Sequence, residues 1–92
     1  MNIVAAFMEV DDVPCVVVQV EPKAVEDHRL SMVLRCLLAR SVELQGVPLV
    51  LASKRDELSE PSFCGQPGTV LGLQKLGWRN IPFDDCTISM GA

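Results

Sequence analysis

Apolar residues follow two different periodicities along the chain, and the change between them falls near residue 22. Residues 2–10 and 15–20 are almost continuous runs of β-forming side chains, and the turn-forming residues 11–14 separate them. This pattern predicts a β-hairpin. Because the runs do not alternate between apolar and polar positions, we expect the hairpin to be covered on both faces or to lie centrally in a sheet.

From Lys23 to Gln45 the apolar residues recur at helical spacing, which predicts one long helix that ends before Gly46. Its main apolar stripe has the spacing of a helix docked on a sheet and consists of Leu30, Val33, Leu34, Leu37, Val42 and Leu44. A second row on the opposite side has heptad-like spacing and consists of Val25, Arg29, Met32, Cys36, Ala39 and Glu43. We expect this second row either to be covered by the short helix within one chain or to form an interface.

The rest of the chain predicts shorter elements. Residues 47–52 form a strand, residues 62–64 a brief strand and residues 67–76 a short helix closed by Gly77, and the alternation over 86–90 indicates a final strand. The element order is therefore ββαβ(β)αβ. It predicts an α+β fold in which a mixed four- to five-stranded sheet carries one long and one short helix as a two-layer sandwich.

Composition and charge exclude several classes of protein. The 92 residues suffice for a single domain, spanning 1–92, and a hydrophobic share of 49% excludes disorder. It also provides more apolar surface than so small a domain readily buries. Eight scattered basic residues against 12 acidic ones offer no patch for nucleic acid, and no apolar run is long enough to cross a membrane. The first residues lack the basic start of a signal peptide, so we expect a cytoplasmic protein.

The stretch before the short helix carries the residues that are the best candidates for chemical reactivity and anion binding. Cys64 precedes a predicted helix N-terminus, which lowers the pKa of a nearby thiol, so Cys64 is the candidate nucleophile and the cysteine we expect to react fastest. The alternative is an ordinary strand-end side chain, because His28 lies on another element. Gly65, Gly68 and Thr69 are the candidate anion-binding residues through their backbone amides, although the lysine of a phosphate-binding loop is absent.

The four cysteines stand far apart in the sequence, without a local pairing to each other or to the single histidine. This spacing argues against a zinc site, and we expect four reduced thiols, no metal and no cofactor.

Two functional hypotheses follow. The first is a small cytoplasmic interaction or regulatory module that forms a homodimer through the second row, in which an antiparallel two-fold pairing brings Arg29 opposite Glu43 of the partner subunit. The alternative is a thiol-dependent or anion-binding enzyme centred on residues 63–69, whose small-molecule ligand the sequence does not identify.

Overall fold

The computed structural model describes residues 1–89, and its centre is the predicted hairpin. Strands β1 (Asn2–Val10) and β2 (Val13–Gln19) pair antiparallel. Strand β3 (Leu49–Ser53) lies parallel to β2, β4 (Ser62–Cys64) pairs antiparallel with β3, and β5 (Asp84–Thr87) pairs antiparallel with the start of β1. The sheet order β4-β3-β2-β1-β5 confirms the predicted α+β class, the mixed sheet and the central hairpin.

Three helices accompany the sheet: α1 (Pro22–Glu26), α2 (His28–Ala39) and α3 (Pro67–Leu76), the last followed by a 3-10 turn over Trp78–Asn80. The position of α3 and its end at Gly77, which has a φ of 89°, agree with the prediction.

The single helix predicted from Lys23 to Gln45 is wrong. The chain breaks at Asp27, whose backbone is extended and whose carboxylate accepts a hydrogen bond from the Leu30 N–H at 3.2 Å. An aspartate in this geometry is a preferred N-cap, so it starts a new helix instead of continuing the old one. Helix α2 ends at Ala39, and the buried Ser41 donates its hydroxyl to the Leu38 carbonyl at 2.8 Å, so the chain turns before β3.

Each face of the sheet carries its own hydrophobic cluster. On the α2 face the buried residues are Ile3, Ala5, Val16, Val18, Leu38, Leu44, Leu51 and Ile88. On the α3 face they are Ala6, Val10, Cys15, Val17, Val50, Ala52, Leu73 and Ile81. Successive strand residues point to opposite faces, which is why the unbroken apolar run of β2 supplies both clusters. The predicted two-layer arrangement is not confirmed, since α2 and α3 contribute to different clusters.

The side of α2 that packs on the sheet overlaps the predicted stripe only in part, since Leu34 and Leu44 are the stripe residues that pack in the cluster on the α2 face. Ser31 and Leu38 are fully buried and Leu34 is half-buried. Of the predicted stripe, the residues that remain exposed are Leu30, Val33, Leu37 and Val42. The Ser31 hydroxyl donates to the His28 carbonyl at 3.2 Å. A serine can therefore occupy the buried side of the helix, because its hydroxyl is hydrogen-bonded there. A count of apolar residues alone could not identify this side.

The last strand begins and ends earlier than the alternation over residues 86–90 predicted. Strand β5 pairs Asp84–Thr87 with Ala5–Asn2 of β1, and the buried Ile88 follows it. The Thr87 hydroxyl donates to the Asn2 side-chain oxygen at 2.8 Å and the Ile88 N–H to the Met1 carbonyl at 2.9 Å, so the chain remains attached to β1 through residue 88. Met90, the last residue of the predicted strand, lies outside the described residues.

Candidate functional site

The side of α2 that faces away from the sheet is apolar and exposed. Met32 is 47% exposed and Val33 is 57% exposed, and Leu30 and Leu37 are exposed to a similar extent. We call this side, with Leu30, Met32, Val33, Cys36, Leu37 and Ala39, the α2 outer surface. Exposed apolar side chains that are contiguous, rather than scattered singly, are typical of interaction sites.

The second row predicted from the sequence lies largely on this surface. Arg29, Met32, Cys36, Ala39 and Glu43 are all exposed. Val25 belongs to α1 and is half-buried against the cluster on the α2 face. Helix α3 contributes to the cluster on the other face of the sheet, so it does not cover the row.

Charged residues flank the α2 outer surface. Arg29 and Arg40 are exposed near its two ends, and Glu43 lies beyond Arg40. Both carboxylate oxygens of Glu43 accept a hydrogen bond from the Ser89 N–H, at 3.0 and 3.2 Å. This backbone hydrogen bond lowers the pKa of Glu43, so the carboxylate is held in place and stays ionised at neutral pH.

A groove borders α2 on each of its two flanks. The first has a volume of about 480 Å³, lies between α2 and the strands β1 and β2, and is lined mainly by apolar residues, among them Ile3, Val18, Leu30, Leu34 and Leu37. The second has a volume of about 440 Å³ and lies between α2, the residues that enter β3 and the start of α3. Only the second brings polar side chains from separate helices together.

Arg35, Gln66 and Thr69 are the polar residues of this second groove. The Nε atom of Arg35 is buried and has no hydrogen-bond partner among residues 1–89. Thr69 is 7% exposed. Thr69 was predicted from the sequence as an anion-binding residue, whereas Arg35 was not. The single signal for Arg35 is a charged residue four positions after Ser31 on the helix side that meets the sheet.

Cys64 lies at the end of β4 and points into the α2 face of the sheet, where it packs half-buried against the cluster. Its Sγ is 3.4 Å from the Ser31 Oγ. Because the Ser31 hydroxyl donates to the His28 carbonyl, the thiol is left as the donor in this contact. This contact gives Cys64 a hydrogen-bond acceptor, and among residues 1–89 no general base is hydrogen-bonded to the thiol.

The three candidate anion-binding residues occupy different environments. Gly65 packs so tightly that a Cβ atom there would lie 2.8 Å from Val50 Cγ2, so its role is close approach to β3. Gly68 and Thr69 lie in the first turn of α3. Thr69 alone lines the second groove, while Gly68 borders a separate depression beside β1.

All four cysteines are free thiols. Cys15 is buried, and burial raises the pKa of its thiol, whereas Cys36 is exposed on the α2 outer surface. Within residues 1–89, no three histidine, cysteine, aspartate or glutamate side chains cluster in a way that could hold a metal ion.

Comparisons of the chain with family models, with curated proteins and with solved structures found no match. Over the part of the chain that the structure describes, none of the helices has the length and apolar character needed to cross a bilayer.

Proposed function

We propose that this protein is a small cytoplasmic interaction module that forms a symmetric homodimer through the α2 outer surface. The observation that carries this proposal is the exposure of large apolar side chains along one whole side of α2. In a two-fold interface the same surface is buried on both subunits, so each apolar side chain stabilises the dimer twice.

Charge complementarity selects one register for the two helices. An antiparallel pairing centred on Cys36 places Val33 opposite Ala39 of the partner subunit. It also brings the start of α2, with Arg29, to the end of α2 of the partner subunit, where the turn that follows the helix carries Glu43. A pairing centred midway between Val33 and Cys36 would oppose Arg29 and Arg40, which repel each other. The anchored carboxylate of Glu43 favours the first register, because its position is fixed before association.

The small side chains at the centre of this register support close approach of the helices. Cys36 and Ala39 leave room for the larger Val33 of the partner subunit, and interaxial distances depend on the side chains at the contact. The four free thiols support a reducing compartment, in agreement with a cytoplasmic location.

Sedimentation over a range of protein concentrations tests the proposal, with circular dichroism as the measure of folding. We expect the wild-type chain to associate, and we expect Cys36→Glu or Ala39→Glu to dissociate it without unfolding, because a desolvated unpaired charge is costly. Leu71→Glu is the matched control. Leu71 is an apolar residue on α3 that is exposed to a similar extent as Met32 and Val33, so a charge there should leave association unchanged. A wild-type chain that stays monomeric at high concentration would overturn the proposal.

A charge exchange tests the register. Arg29→Glu should weaken association because it would oppose Glu43 of the partner subunit, and adding Glu43→Arg should restore it. If the double variant is as weak as Arg29→Glu alone, the two residues do not meet and the register is wrong.

A further inference from the structure

We draw no further inference here: the strongest candidate, the apolar groove of about 480 Å³ between α2 and the strands β1 and β2, shares Leu30, Val33 and Leu37 with the α2 outer surface, and nothing in the structure shows what covers it.

Discussion

The two faces of the sheet differ in how their helices are used. On the α3 face, Leu73 is fully buried and the aromatic rings of Phe63, Trp78 and Phe83 close the cluster, with ring centres 6.3 Å apart for Phe63 and Trp78 and 4.9 Å apart for Trp78 and Phe83. On the α2 face the helix contributes Leu38 and small side chains such as Ser31 to the interior. Leu30, Met32, Val33 and Leu37 of the same helix remain exposed.

This difference separates residues that stabilise the single chain from residues available for association. The α3 face is covered by a short helix and a 3-10 turn of the same chain. The aromatic rings that close its cluster bury a large area each. The α2 face is covered by Leu38 of α2, by Leu44 after α2 and by Ile88 after β5. One side of α2 is therefore left without a role in the monomer.

The largest expected effect is the difference in reactivity between two thiols. Cys15 is buried on the α3 face, with a pKa raised by burial, and Cys36 is exposed on the α2 outer surface. In dilute monomeric protein, Cys36 should be alkylated at least about 1000-fold faster than Cys15, because Cys15 must wait for the protein to open. Mass spectrometry of the labelled peptides against time measures both rates.

The same experiment revises the expectation for Cys64, which the sequence favoured as the fastest thiol. Its half-buried position and its contact with Ser31 should make it slower than Cys36. Cys36→Ser is the control and should remove the fast phase. A fast phase that survives in this variant and maps to Cys64 would instead favour the thiol-dependent enzyme.

Two neighbouring leucines of α2 provide the next largest contrast. Leu38 is 1% exposed, and Leu37 is 42% exposed on the outer surface. Leu38→Ala should lower the free energy of unfolding by about 2–5 kcal/mol, as expected for a truncated core leucine, and Leu37→Ala by less than about 1 kcal/mol. Urea unfolding of dilute protein measures both values. Equal losses would mean that the outer surface is packed within one chain.

The sequence predicted the parts of the fold that depend on local patterns. The hairpin, β3, β4 and α3 follow from runs of β-formers, from glycine and proline positions and from the turn at residues 11–14. The break at Asp27 was missed because a capping aspartate and a charged residue in a helix look the same in a hydrophobicity pattern. The buried side of α2 was missed for a related reason, since Ser31 is polar in composition but internally hydrogen-bonded in the structure.

The candidate sites were predictable to different degrees. The exposed row around Met32 and Cys36 follows from helical spacing, which survives the break at Asp27. The presence of Arg35 and Thr69 at the same groove depends on tertiary structure, because α2 and α3 are separated in sequence by β3 and β4. No periodicity within one element carries that information.

Two glycines of α3 test how closely this helix approaches β1. A Cβ atom at Gly72 would lie 2.2 Å from Val10 Cγ1, while one at Gly68 would have no atom within 4 Å. Gly72→Ala should therefore cost about 1–3 kcal/mol through overpacking, even though alanine favours helix formation. Gly68→Ala, the matched control, should gain up to about 1 kcal/mol. Thermal unfolding compares them, and a stabilised Gly72→Ala would show that the α3 face is more loosely packed than described.

The smallest expected effect concerns the turn between β1 and β2, whose strands serve both faces. Asp11 and Asp12 have φ angles of 51° and 66°, as a two-residue turn of type I′ requires, and glycine is preferred at the second position. Asp12→Gly should stabilise the protein by about 0.5 kcal/mol. Glycine relieves the backbone strain in the folded turn, and this gain is reduced by the greater conformational freedom of glycine in the unfolded chain. Asp12→Ala should have the opposite sign, because alanine tolerates this conformation less well than aspartate. Since the hairpin contributes to both clusters, the gain should appear equally in global unfolding and in the protection of Cys15; a gain confined to one of them would mean that the two faces unfold separately.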